Sequence, residues 1–143
     1  MTRIDFHTNV SDKISYACRL VRKARKQANA PSLVLLLENR LQLGKVDDAL
    51  WTFSAQDFLP HVSKEHPLAA QTPVILTDGD MQNLPHYEIL INLSRNTPAQ
   101  FARFTRVFEV ISQDEQDAQA GRKRYAFYKQ NGCTLSHVVA EAA

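Results

Sequence analysis

The sequence predicts an α/β domain with a mixed, mostly parallel sheet and helices on both faces. Short apolar runs of strand length alternate with segments of helical period along the chain, the order that builds βαβ units. One of these runs, Leu33-Val34-Leu35-Leu36-Leu37, is apolar without interruption, as a central strand covered on both faces must be. Composition agrees: 143 residues, 44% hydrophobic and 22% charged, suit one globular domain spanning residues 1–143 and do not suit a disordered or fibrous chain.

Arg3-Ile4-Asp5-Phe6-His7 alternates polar and apolar side chains and predicts the first strand. Ser11 then reads as an N-cap with Asp12 in the first turn, and Ile14, Ala17, Cys18, Val21, Ala24 and Ala28 recur at helical spacing until about Asn29. Pro31 ends that helix, and the Leu33–Leu37 strand follows. A second helix is expected from about Glu38 to Trp51, with Val46 and Leu50 on its buried stripe, although Gly44 inside it costs about 1 kcal/mol relative to alanine. Residues 52 to 72 hold no long period and predict a helical turn at Ala55–Phe58 followed by a surface loop. Val74-Ile75-Leu76 and Ile89-Leu90-Ile91 are two further strand cores separated by the turn dipeptides of Asp78-Gly79-Asp80. Thr97-Pro98 opens a short helix through Phe101 and Phe104, and Val107–Ile111 is a fifth strand. Ser112 and Glu115 form a capping-box pattern, and Gly132 fits a left-handed C-cap, which brackets a final helix with its acids first and its bases last.

Several function classes are excluded or disfavoured at this level. Four glycines, at 44, 79, 121 and 132, cannot write a dinucleotide fingerprint or a phosphate loop. Five scattered histidines show no helical ligand spacing, so no metal or other cofactor is expected. Seventeen Lys and Arg against fifteen Asp and Glu, a net +2, do not describe a chain that grips a phosphate backbone over its whole surface. No apolar run approaches the roughly 18 to 20 residues needed to span a bilayer, and the N-terminus lacks a signal-peptide pattern, so the expected location is the cytoplasm. Cys18 and Cys133 are expected as thiols, Cys18 within the core stripe of the first helix. The basic run of that helix, Lys13, Arg19, Arg22, Lys23, Arg25 and Lys26, reads as a solvated face and lacks the interleaved aromatics of a single-strand binder.

Two stretches carry chemistry. Asp78 and Asp80, just after a strand, offer the one arguable carboxylate pair, and they support the alternative of a magnesium-dependent nuclease or phosphohydrolase. Arg122-Lys123-Arg124-Tyr125-Ala126-Phe127-Tyr128-Lys129 is the other. On a helix Arg122, Tyr125 and Lys129 share one stripe, with Arg124 and Tyr128 on the next. A cation fork beside an aromatic wall suits a ligand that carries a carboxylate next to an apolar group.

Three stretches together resemble the chi subunit family of bacterial DNA polymerase III. They are Asp47-Asp48-Ala49-Leu50-Trp51 with Asp57-Phe58-Leu59-Pro60-His61; Pro73–Leu76 with Ile89–Leu93; and Arg124-Tyr125 with Tyr128, Gly132 and Leu135. The resemblance implies a non-catalytic accessory subunit with a nucleotide-binding-like fold and no phosphate loop. It implies two partners: a psi subunit, which ties the chain to the clamp loader, and the acidic C-terminal tail of single-stranded DNA-binding protein, with any DNA contact indirect. By position, Arg122 and Tyr125 match the residues that hold the terminal phenylalanine and carboxylate of the tail. Phe58, with Trp51 nearby, matches the surface that meets psi or an alternative helicase partner. Relatives place lysines where this chain has Ala118 and Ala126, and Lys123, Arg124 or Lys129 are expected to supply that charge, Lys129 being best placed.

Overall fold

The computed structural model describes residues 2–52 and 59–140. Among these residues seven strands form one sheet in the order β3-β4-β2-β5-β6-β1-β7. They are β1 (Arg3–Val10), β2 (Leu33–Leu36), β3 (His61–Ser63), β4 (Val74–Thr77), β5 (Ile89–Asn92), β6 (Arg106–Ser112) and β7 (Thr134–Val139). Among the described residues three α-helices cover it: α1 (Lys13–Arg25), α2 (Arg40–Thr52) and α3 (Glu115–Gln130). Every adjacent pair of strands is parallel, so the expected α/β class is borne out with a sheet that is parallel throughout.

The topology places the layers. From β1 to β2 and on to β3 the chain moves toward one edge, and from β6 to β7 it moves toward the other. Right-handed crossovers in opposite directions put their helices on opposite faces. One core cluster accordingly joins Ala17, Cys18 and Val21 of α1 and Val46 and Leu50 of α2 to Leu33, Leu35 and Leu76. The other joins Tyr128 of α3 to Ile4, Phe6, Val34, Val107 and Ile111. Leu33–Leu36 is buried at every position because both clusters meet there.

The local corrections have physical causes. Asp12, not Ser11, caps α1: its side chain accepts from the N–H groups of Ile14 and Ser15. Asp114, not Ser112, caps α3 by accepting from Gln116 and Asp117, because β6 pairs with β1 as far as Ser112. The helix expected after Thr97-Pro98 is a single 3₁₀ turn, Phe101–Arg103, and the expected loop of residues 52 to 72 contains β3 and a 3₁₀ turn at Ala69–Gln71. The turn expected at Ala55–Phe58 lies outside the described residues. Strand β7 was not legible, since its side chains are mostly exposed or half-buried and show no alternation of polarity.

Cys18 is fully buried, and burial pushes its thiol up to about 11, whereas Cys133 is only partly covered. A maleimide should therefore add once to the native chain, at Cys133, and reach Cys18 only after denaturation. Rapid double labelling without denaturant, read by mass spectrometry, would contradict this packing.

Candidate functional site

At the carboxyl ends of β1 and β6, α3 leaves a cavity of about 510 Å³. Its apolar walls are Phe6, Ile111, Ala118 and Tyr125, its rim carries Arg122, and His137 of β7 closes one side. Gly121 explains how the helix comes so near. A Cβ there would stand 2.4 Å from Cδ1 of Ile111, so a larger residue would displace either the helix or the isoleucine. Phe6 lies on the α3 face of β1, packed edge-on to Tyr125 at 5.1 Å and to Tyr128 at 5.9 Å. Tyr125 is thus held by one edge while 39% of its surface stays exposed toward the cavity mouth and solvent. The Thr8 hydroxyl and His137 Nε2 meet at 2.7 Å beside it.

Asp117 fixes the start of the helix against the sheet. Burial works against its charge, but the Ser112 N–H at 2.7 Å and the Lys13 ammonium at 3.1 Å outweigh it and hold the carboxyl below the usual aspartate range. Arg122 points outward, with 65% of its side chain exposed and Nη2 3.0 Å from Glu115 Oε1. An exposed ion pair of this kind contributes at most about 1 kcal/mol, so an incoming carboxylate can take the guanidinium over. The cavity has apolar walls and a replaceable charge pair at its rim, an arrangement suited to an apolar group that carries a carboxylate.

The other predicted site residues divide. Lys129 is exposed one turn beyond Tyr125, outside the cavity wall, and Lys123 lines a second hollow on the opposite flank of α3. Arg124 is buried, 2% exposed, with Nε 3.0 Å from Glu109 and Nη1 2.9 Å from the Arg95 carbonyl. Three residues on from Gly121, it turns toward the sheet and also borders that second hollow beside Lys123. Trp51 is 54% exposed at the end of α2, its ring 4.7 Å from that of the buried His61, while Phe58 lies outside the described residues. Asp78 and Asp80 are each drawn to a cation, Arg40 at 3.5 Å and Lys64 at 2.8 Å. Among the described residues no group of three His, Cys, Asp or Glu side chains converges.

Sequence reasoning missed Phe6, Ile111 and His137 as cavity residues. The alternation around Phe6 marked it as facing one side of a sheet, yet nothing local says which helix will cover that side.

Residues 1–136 match the family described as DNA polymerase III chi subunit, HolC. DNA polymerase III subunit chi of Pseudomonas aeruginosa is 32% identical over 139 residues, covering 94% of each chain. The protein of the same name from Escherichia coli strain K12 is 29% identical over 115 residues, 79% of this chain and 77% of the relative. That from Haemophilus influenzae is 25% identical over 120 residues, 84% and 82%.

Proposed function

This chain belongs to the DNA polymerase III chi subunit family, a family of bacterial replication accessory subunits, and from that membership we propose that it links the clamp loader to single-stranded DNA-binding protein without catalysing a reaction itself. The observation that carries the proposal is the cavity beside Gly121 with Arg122 at its rim. A peptide ending in acidic residues and phenylalanine would seat its phenyl group in the cavity against the walls formed by Phe6, Ile111 and Tyr125 and present its carboxylate to Arg122. Lys129 and Lys123 add longer-range attraction for the acidic residues. Calorimetric titration with free-acid and amidated forms of one such peptide tests this: tight binding of the acid alone supports it, and equal affinity removes the carboxylate site.

The psi subunit, or a helicase competing for the same face, would meet the end of α2. Support comes from Trp51, a large aromatic left more than half exposed, and aromatics of this kind are common interface anchors. Trp51→Ala should abolish co-purification with a psi subunit while changing the melting temperature little, because the ring covers His61 from outside the core. A variant that unfolds would show Trp51 to be structural. The setting of this work is the cytoplasm, and among the described residues no helix is long and apolar enough to cross a membrane.

A further inference from the structure

Among the described residues, no strand covers the outer edge of the sheet at β7. Ala140 N–H donates to the Thr8 carbonyl at 2.8 Å, so even-numbered positions of β7 turn their backbone groups toward β1. By strand alternation, the N–H and C=O groups of Leu135, His137 and Val139 face the other way. No strand among the described residues pairs with that side. Natural edges are blunted by lysine, proline, bulges or brevity. Thr-Leu-Ser-His-Val-Val has no lysine or proline, keeps unbroken register with β1 over six residue pairs, and leaves Val138 and Val139 48% and 62% exposed. The opposite edge, β3, is only three residues long.

Charge flanks this edge on both faces. On the α3 side lies the cavity with Arg122. On the α1 side Arg3, Lys23 and Arg106 line a hollow together with Ser136 and Val138. The carboxylate in that hollow, Asp5, is 3% exposed and is engaged by Arg3, Arg106 and Ser136. Among the described residues it is the one acidic group in either lining. Counting Glu115, which pairs with Arg122, the charged groups here are Arg3, Lys23, Arg106 and Arg122 against Asp5 and Glu115, an excess of cations beside β7.

From this geometry we infer that an extended acidic peptide adds to β7 as an eighth strand before entering the cavity, an inference that rests on the cavity reading above. Its direction follows. The cavity sits at the carboxyl ends of β1 and β6, so a chain that delivers its C-terminal carboxylate there must run the same way as β7. The added strand is parallel, like every other in the sheet. Main-chain hydrogen bonds to Leu135, His137 and Val139 supply sequence-tolerant affinity, and acidic side chains alternate between the Arg3–Lys23 face and the Arg122 face.

Two peptides ending in phenylalanine with a free carboxylate distinguish this from the cavity alone. One of about four residues fills the cavity, and one of about ten residues also spans β7. Calorimetry should find the longer at least about ten-fold tighter. N-methylation at alternate upstream residues of the longer peptide, which keeps its charge, should return it to the affinity of the shorter. Val139→Pro removes an outward N–H but no ladder bond to β1, and should lower affinity for the longer peptide only. Equal affinity of the methylated and unmethylated long peptides overturns the added strand and leaves the cavity standing. Failure of the short peptide to bind at the highest concentrations tested overturns the cavity and the strand with it. Dimerisation of the free chain through β7, seen by sedimentation and abolished by Val139→Pro, assigns the edge to a second copy and also overturns the inference.

Discussion

Arg124→Met should lower the free energy of unfolding by about 3–5 kcal/mol, the cost of leaving a buried charge without its partner. Glu109 is fully buried and accepts from Arg124 Nε at 3.0 Å, Tyr128 Oη at 2.6 Å and Asn92 Nδ2 at 3.0 Å. Burial pushes its carboxyl above the usual glutamate range even against the pull of Arg124. Removing the guanidinium drives it higher still. A group whose folded pKa is raised favours the fold at low pH and loses that contribution as pH rises through the folded value. The deficit of the variant should therefore be smallest near the ordinary glutamate pKa and grow toward neutrality, and Glu109→Gln in the same background should restore part of it. Urea titrations at about pH 5 and about pH 8 read the effect. A deficit equal at both would mean that lost packing, and not the stranded carboxylate, is responsible.

Arg122→Ala should weaken binding of a phenylalanine-terminated acidic peptide by about 1.5–3 kcal/mol, the range for a hydrogen bond to a charged group. Arg122 is 65% exposed before binding, so screening places the loss toward the lower end, about ten-fold in affinity. Tyr125→Ala should cost a similar amount through lost apolar contact, without the salt dependence of the Arg122 term. Amidating the peptide removes the same charge from the other side. Arg122→Ala should then discriminate poorly between acid and amide, which closes a double-mutant cycle on the proposed pair. A variant that still prefers the acid by the full margin would assign the carboxylate to another cation. Lys129 would be the first to test, since it is exposed one turn beyond Tyr125.

The strand cores, the three helices and the class of fold were legible because each rests on local periodicity. Leu33–Leu37 could only be central, and the acid-to-base order of α3 marked its direction. The family, too, was legible, from Ala49-Leu50-Trp51 and the residues of the last helix. Part of the site was visible in the same way: Arg122, Tyr125 and Lys129 share a stripe whatever the helix packs against. Caps were legible only to within two residues, since Ser11 and Asp12, or Ser112 and Asp114, offer the same side-chain chemistry and the end of the preceding strand chooses between them.

The sequence by itself thus determined five strand cores, the three long helices, the family and the chemistry available on one helical face. Which cations of that face reach solvent was decided only by tertiary structure. Arg124 and Arg122 are two residues apart and chemically identical, yet docking on the sheet buries one against Glu109 and leaves the other at a cavity rim. The cavity itself is non-local, with Phe6, Ile111, Tyr125 and His137 drawn from four elements. The edge strand β7 belongs here as well: its residues carry little hydrophobic pattern of their own, and they are a strand because β1 offers them an unpaired ladder. Local patterns report what a segment can bury. Long-range pairing decides what it meets.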